Sequence, residues 1–100
     1  MHKLTVCYGQ PQDASAFDKY YATKHAPLAK TVPGVVRFTY GKCEPLGGVT
    51  PDYYLIAELA FDSRPDLEAA LQSPQGQAAS ADLANFATGG VTMLVHEETS

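Results

Sequence analysis

The sequence is poor in positive charge. Seven Lys and Arg against eleven Asp and Glu leave a net charge of −4 over 100 residues. The basic residues are scattered, with no run to meet phosphates, so a nucleic-acid partner is excluded. No apolar stretch approaches the roughly 20 residues of a membrane-spanning helix, and no membrane partner is expected. The two cysteines, Cys7 and Cys43, are too few and too unpatterned for a disulfide framework or a zinc site. Both are expected to be buried or half-buried free thiols. The start Met1-His2-Lys3-Leu4 runs straight into a strand pattern. It lacks the apolar core and cleavage site of an export signal, so a cytoplasmic location is expected. HExxH, CxxC, Gly-rich phosphate loops and nucleophile elbows are all missing. No second histidine lies three or four residues from His25. A tight metal site within one helix is therefore not expected.

What remains is an ordinary globular composition, 45% hydrophobic and 18% charged. One domain over residues 1–100 is expected, with a modest core that oligomerisation would help. Leu4, Val6 and Tyr8 alternate with Lys3, Thr5 and Cys7, a strand with one apolar face. Asp13 reads as the N-cap of a helix from Ala14 to His25. Pro27 lacks an N–H and clashes with the preceding turn, which predicts a break near Lys24–Ala26 and a further short turn through Lys30. A second strand is predicted over Val35–Lys42, and a third over Tyr53–Phe61. Ser63 caps a helix carrying Leu67, Ala70 and Leu71 inward. Another is predicted from Pro74 to Ala87, with Gly76, Ala79, Leu83 and Phe86 inward. A last strand runs from Val91 to His96. The order strand, helix, strand, strand, helical region, strand predicts an α+β fold of the ferredoxin-like type, βαββαβ. In it a four-stranded antiparallel sheet carries helices on one face. Tyr54 and Ile56 are expected opposite Leu55 and Leu59, and Leu94 opposite Met93 and Val95. Both faces then carry apolar residues, and a second copy packed sheet to sheet would cover the free one.

Phe17, Tyr21, His25 and Leu28 follow one another at spacings of four, four and three. They form one helical face, so His25 should point inward among aromatic rings. An inward imidazole is either a core histidine satisfied by one backbone or carboxylate partner, or a proton donor and acceptor. Tyr20 and Tyr21 supply rings and phenols for an apolar ligand, although Tyr21 sits in the stripe where packing alone would place it. Phe17 lies on the same face. Phe38, Tyr40, Leu59, Phe86 and Met93 are pocket-wall candidates that also suit a plain core. Arg37 either binds a carboxylate or enolate oxygen, pairs with Glu58, or is simply exposed. His2 and His96 are expected at the surface.

The string Phe17-Asp18-x-Tyr20-Tyr21-x-x-x-His25-x-Pro27-Leu28, followed by Pro33-Gly34, resembles the EthD family, named for ethyl tert-butyl ether degradation. So do Ser73-Pro74-Gln75-Gly76-Gln77-Ala78-Ala79 and Asp82-Leu83-Ala84-Asn85-Phe86-Ala87-Thr88-Gly89-Gly90. The resemblance spans essentially the whole chain and implies a dimeric α+β barrel, a homodimer in which two sheets close on each other. The family histidine maps onto His25 and its aromatic pair onto Tyr20 and Tyr21. EthD-like proteins accompany oxidative degradation genes. Related dimeric barrels include muconolactone isomerases, polyketide cyclases, quinone-forming monooxygenases and haem-handling proteins. Most of these use a pocket between sheet and helices, and several need no metal or organic cofactor. Three functions are thereby implied. One is a cofactor-independent enzyme that oxygenates, isomerises or degrades a small apolar molecule, with His25 as general acid/base. Another is a non-catalytic protein sheltering a hydrophobic metabolite for a partner oxidase. The third is haem binding through His25. Shared fold alone does not choose among them.

Overall fold

The alternation in Leu4, Val6 and Tyr8 builds the centre of the sheet. The computed structural model describes residues 1–100. Strand β1 (His2–Gly9) leads to helix α1 (Ala14–Tyr20), a π turn (Tyr21–His25) and α2 (Ala26–Ala29). Strands β2 (Arg37–Lys42) and β3 (Tyr53–Phe61) follow. Helices α3 (Arg64–Gln72) and α4 (Pro74–Asp82), a 3₁₀ turn (Leu83–Asn85) and β4 (Val91–Glu97) complete the chain. The strands lie in the order β2-β3-β1-β4, every neighbour antiparallel. This is the ferredoxin-like arrangement, with the helices on one face.

Register decides what the helices cover. Leu4 faces Leu59 and Val95, Val6 faces Ala57 and Met93, and Tyr8 faces Leu55. These side chains share the helix side with Phe38 and Tyr40 of β2, which lie opposite Leu59 and Ala57. Phe61 and Leu67 are fully buried in the core so formed. Each such side chain contributes about 1.5–3 kcal/mol by leaving water. Strand β2 begins at Arg37 rather than Val35, because Val35 leaves the ladder and packs against the edge of the core. Tyr54 also departs from the expected alternation. The register shifts between Tyr8 and Gly9, so that Leu55 faces Tyr8 while Tyr53 faces Gly9. The skipped residue, Tyr54, swings to the helix side, where its ring meets Phe17 edge-on at 5.3 Å. A bulge of this kind re-aims one side chain without disturbing the rest of a strand.

Two close approaches depend on glycine. Helix α4 starts immediately after α3, with Ser73 Oγ accepting from Gly76 N and donating to Ala70 O. A Cβ on Gly76 would stand 2.0 Å from Ala70 O. Gly9 and Gly89 cross just as closely, 2.1 Å from a Cβ on Gly9 to Gly89 O. The first contact sets how α4 lies over the sheet, and with it the position of Asp82 at its end.

The free face of the sheet is mixed. Cys7 and Ala60 are buried, Ile56 is half-buried, and Leu94 is 54% exposed. Lys3 lies between Glu98 at 2.9 Å and Glu58 at 3.7 Å. Of the roles expected of Arg37, exposure is the one found; Glu58 takes Lys3 as its partner instead. His2 is only half-exposed and lies 3.6 Å from Glu97. No helix is long and apolar enough to cross a membrane.

Candidate functional site

His25 owes its position to a helix that widens instead of breaking. Asp13 caps α1 through a hydrogen bond from Ala16 N, and Phe17 begins the buried stripe. Along an ideal α-helix each step of four residues drifts by roughly 40°, so Phe17, Tyr21 and His25 would fan out. Here Ala26 N donates to Tyr21 O, five residues back. The extra residue in this turn offsets the drift and keeps Tyr21 and His25 both buried. Pro27 supplies the reason. It cannot donate to Thr23, and its ring would clash with that carbonyl in a plain α turn. The expected break at Lys24–Ala26 is therefore a π turn, and the backbone stays helical through Ala26.

Burial leaves His25 only 5% exposed, with both nitrogens engaged. Nδ1 lies 2.9 Å from Asp82 Oδ2. Nε2 lies 3.3 Å from the hydroxyl of Tyr8. The other Asp82 oxygen accepts from Tyr20 Oη at 2.6 Å and from Asn85 Nδ2 at 3.0 Å. The sequence periodicity predicts that helix α4 runs to Ala87. It tightens at Leu83–Asn85 instead, and Asn85 then reaches back to Asp82. Burial by itself would push the Asp82 carboxyl up. The hydrogen bonds from Tyr20, Asn85 and His25 outweigh it and hold the group below the usual carboxylate range. A carboxylate accepts, so Nδ1 carries the proton and the Nε2 lone pair accepts from the Tyr8 hydroxyl. This division of the ring is the one a general base requires.

Tyr8 is the hub on the sheet side. Its ring packs against Phe17, Tyr21, Phe86 and His25 at centroid distances of 5.6, 5.5, 5.6 and 6.4 Å. Burial pushes the phenols of Tyr8 and Tyr21 well up, so both stay protonated donors. Beside them lies a cavity of about 50 Å³ between sheet and helices. It has room for about three or four waters or a handful of heavy atoms. The space exists because Ala29, Ala57, Gly76 and Ala79 leave it unfilled among larger residues. Tyr8, Tyr21 and His25 form its polar edge, with Ser80; no charged Lys, Arg, Asp or Glu lines it.

Residues 9–90 match the EthD domain family. The chain belongs to the EthD family. It is 48% identical over 98 residues to an uncharacterized 11.0 kDa protein from the thcB–thcC intergenic region of Rhodococcus erythropolis, covering 98% of this chain and 95% of that one. It superimposes on the crystal structure of an ethyl tert-butyl ether degradation family protein from Bacillus halodurans. There the TM-score is 0.94 with 31% identity, over 99% of each chain. A dimeric ferredoxin-like protein from Jannaschia shares the fold, with a TM-score of 0.72 and 17% identity over 98% of this chain and all of that one.

Within this EthD chain the candidate site residues, Tyr40 excepted, line one of two spaces. Tyr21, Phe38 and His25 line the cavity. Phe17, Tyr20 and Phe86 line a second space of about 200 Å³ along α1, together with Gln12, Asn85 and Thr88. Phe86 still touches the site, its ring 4.7 Å from that of His25. Tyr40 lines neither space; it is 45% exposed and packs on Tyr21 at 4.8 Å. Two groups escaped the sequence reading: Tyr8, hidden in an ordinary strand alternation, and Asp82. Asp82 did carry a signal, as the only charged side chain between Glu68 and Glu97 with histidine taken as neutral. A lone acid on an alanine-rich helix invites the question of what it partners.

Proposed function

We propose that this EthD-family protein is a cofactor-independent enzyme of the cytoplasm that moves a proton on a small apolar molecule. His25 acts as general acid/base, Asp82 orients it, and Tyr8 hydrogen-bonds the reacting oxygen. Tyr21 and Phe38 contact the substrate from the cavity wall, and Phe17, Tyr20, Tyr40 and Phe86 buttress these rings. The observation that carries the reading is the division of labour on His25, with Nδ1 held by a half-buried carboxylate and Nε2 paired only with the Tyr8 hydroxyl at the edge of an apolar cavity. Ligation of haem by His25 is disfavoured, because a space of about 50 Å³ does not admit a macrocycle. Native mass spectrometry of freshly purified protein should reveal a co-purified small molecule. Turnover of that molecule should fall by about 100-fold or more in His25→Gln with the fold intact. Equal turnover by the variant would overturn the enzyme reading. Capture of the molecule without any turnover would replace it with a binding protein serving a partner oxidase.

The functional unit in this proposal is a homodimer joined through the free sheet face. Ile56 and the exposed Leu94 on that face support it, as does the dimeric state of the Jannaschia protein that shares the fold. Sedimentation equilibrium at micromolar concentration should give a dimer, and Ile56→Asp should weaken it by at least about tenfold. An unchanged dimer in that variant would remove Ile56 from the interface.

A further inference from the structure

The cavity sets a base beside a neutral donor and carries no fixed positive charge. His25 Nε2 and Tyr8 Oη are 3.3 Å apart, a long hydrogen bond readily exchanged for a stronger one. A carboxylate or phosphate would lose its hydration here without gaining a countercharge, a costly transfer. A neutral molecule with one acceptor oxygen suffers no such penalty. Its oxygen would take the Tyr8 hydrogen, and a C–H on the adjacent carbon would then face Nε2. Tyr21, whose ring packs edge-on against that of Tyr8 at 5.5 Å, steadies the donor.

We propose that the substrate is a small neutral carbonyl compound, a ketone, aldehyde or lactone, with an enolisable C–H. The assignment rests on the proton-transfer reading above and narrows it. In the step, the Nε2 lone pair takes the α-proton and the C–H bond breaks. Its electron pair becomes the carbon–carbon double bond of the enolate. The carbonyl π pair moves onto oxygen, where the Tyr8 O–H stabilises the developing charge. Asp82, at 2.9 Å, stabilises the imidazolium formed on His25. Returning the proton to the same carbon restores the substrate. Returning it to a conjugated carbon moves a double bond, so an isomerisation closes with no other reactant.

Deuterium exchange tests this without knowledge of the natural substrate. Butan-2-one is incubated with the intact protein in D₂O, and loss of its α-proton signals is followed by NMR. Butan-2-ol, which keeps the oxygen but has no acidic C–H, serves as competitor. The wild type should accelerate exchange by about 100-fold or more over His25→Gln. Tyr8→Phe should lose most of that acceleration, and butan-2-ol should suppress it. Inhibition of the wild type by butan-2-ol decides the matter even if a variant fails to fold. If butan-2-one shifts the His25 resonances but exchanges no faster than with His25→Gln, the carbonyl assignment falls and the proton-transfer reading stands. If neither compound shifts those resonances, both fall. Exchange that persists fully in Tyr8→Phe would overturn the donor role given to Tyr8.

Discussion

Two aspartates in this protein make nearly the same pair of bonds and serve different ends. Asp18 accepts from Tyr54 Oη at 2.7 Å on one oxygen and from Lys42 Nζ at 2.7 Å on the other. Asp82 accepts from Tyr20 Oη at 2.6 Å and from His25 Nδ1 at 2.9 Å. Both carboxyls are held below their ordinary range. For Asp18 the Lys42 ammonium is the main cause, followed by Tyr54. For Asp82 burial works the other way, and three hydrogen bonds overcome it. The side chain of Asp18 is 36% exposed and that of Asp82 is 12% exposed. Asp18 faces a permanent cation in reach of water. Asp82 faces a ring that can gain and lose a proton, and that ring borders a cavity. A tyrosine and a nitrogen donor on a carboxylate thus make an exposed tie in one place and a half-buried pairing beside a cavity in the other. Burial and the titratable partner make the difference.

Removing Asp82 should have the largest effect. Asp82→Ala strips partners from His25, Tyr20 and Asn85 in a half-buried setting. It should cost roughly 2–3 kcal/mol in urea unfolding, in keeping with loss of hydrogen bonds to a charged group. A cost near zero would mean that water replaces the carboxylate freely. The pH dependence follows from the direction of the shift. A carboxyl whose folded-state value lies below its ordinary 3.8 stabilises the fold above that pH. The contribution is lost as pH falls through the lower folded value. The acid limb of the stability profile should therefore be shallower in Asp82→Asn than in the wild type, and an identical limb would show that Asp82 is not shifted.

Gly76→Ala should come next, at roughly 1–3 kcal/mol of overpacking, because the new methyl would meet the Ala70 carbonyl. It also sharpens the comparison. A shift of α4 should disturb the His25 resonances while leaving those around Asp18 and Tyr54 unchanged. The smallest effect belongs to Asp18→Asn, at about 1 kcal/mol or less, reduced further by salt. A larger, salt-resistant loss would put the two aspartates in the same class after all.

Much of the fold was legible because its signals are local. The alternation in β1, the caps at Asp13 and Ser63, and the limits of β3 at Tyr53 and Phe61 all follow from short-range periodicity and hydrogen-bonding chemistry. The stripe Phe17–Tyr21–His25 likewise announced an inward imidazole. Pro27 announced an irregularity, but sequence does not tell a break from a wider turn. That choice belongs to the sheet, which gives Tyr21 and His25 a surface to stay buried against. Tyr54 was misplaced for a related reason: a bulge is a relation between two strands, and only pairing with Gly9 and Leu55's partner Tyr8 reveals it.

The sequence by itself determined the order of elements, the buried faces of β1 and α1, and the presence of one ionisable ring among aromatic side chains. The tertiary structure alone decided which acid meets that ring. His25 and Asp82 are 57 residues apart, and nothing in either local pattern points to the other. Gly76 lets α4 close on α3, the 3₁₀ turn tightens its end, and Asp82 arrives at Nδ1 while Tyr8 arrives from β1 at Nε2. Periodicity reports which side of an element is apolar. The partner of a buried polar group is fixed by packing between elements distant in sequence, and that becomes definite only when the chain has folded.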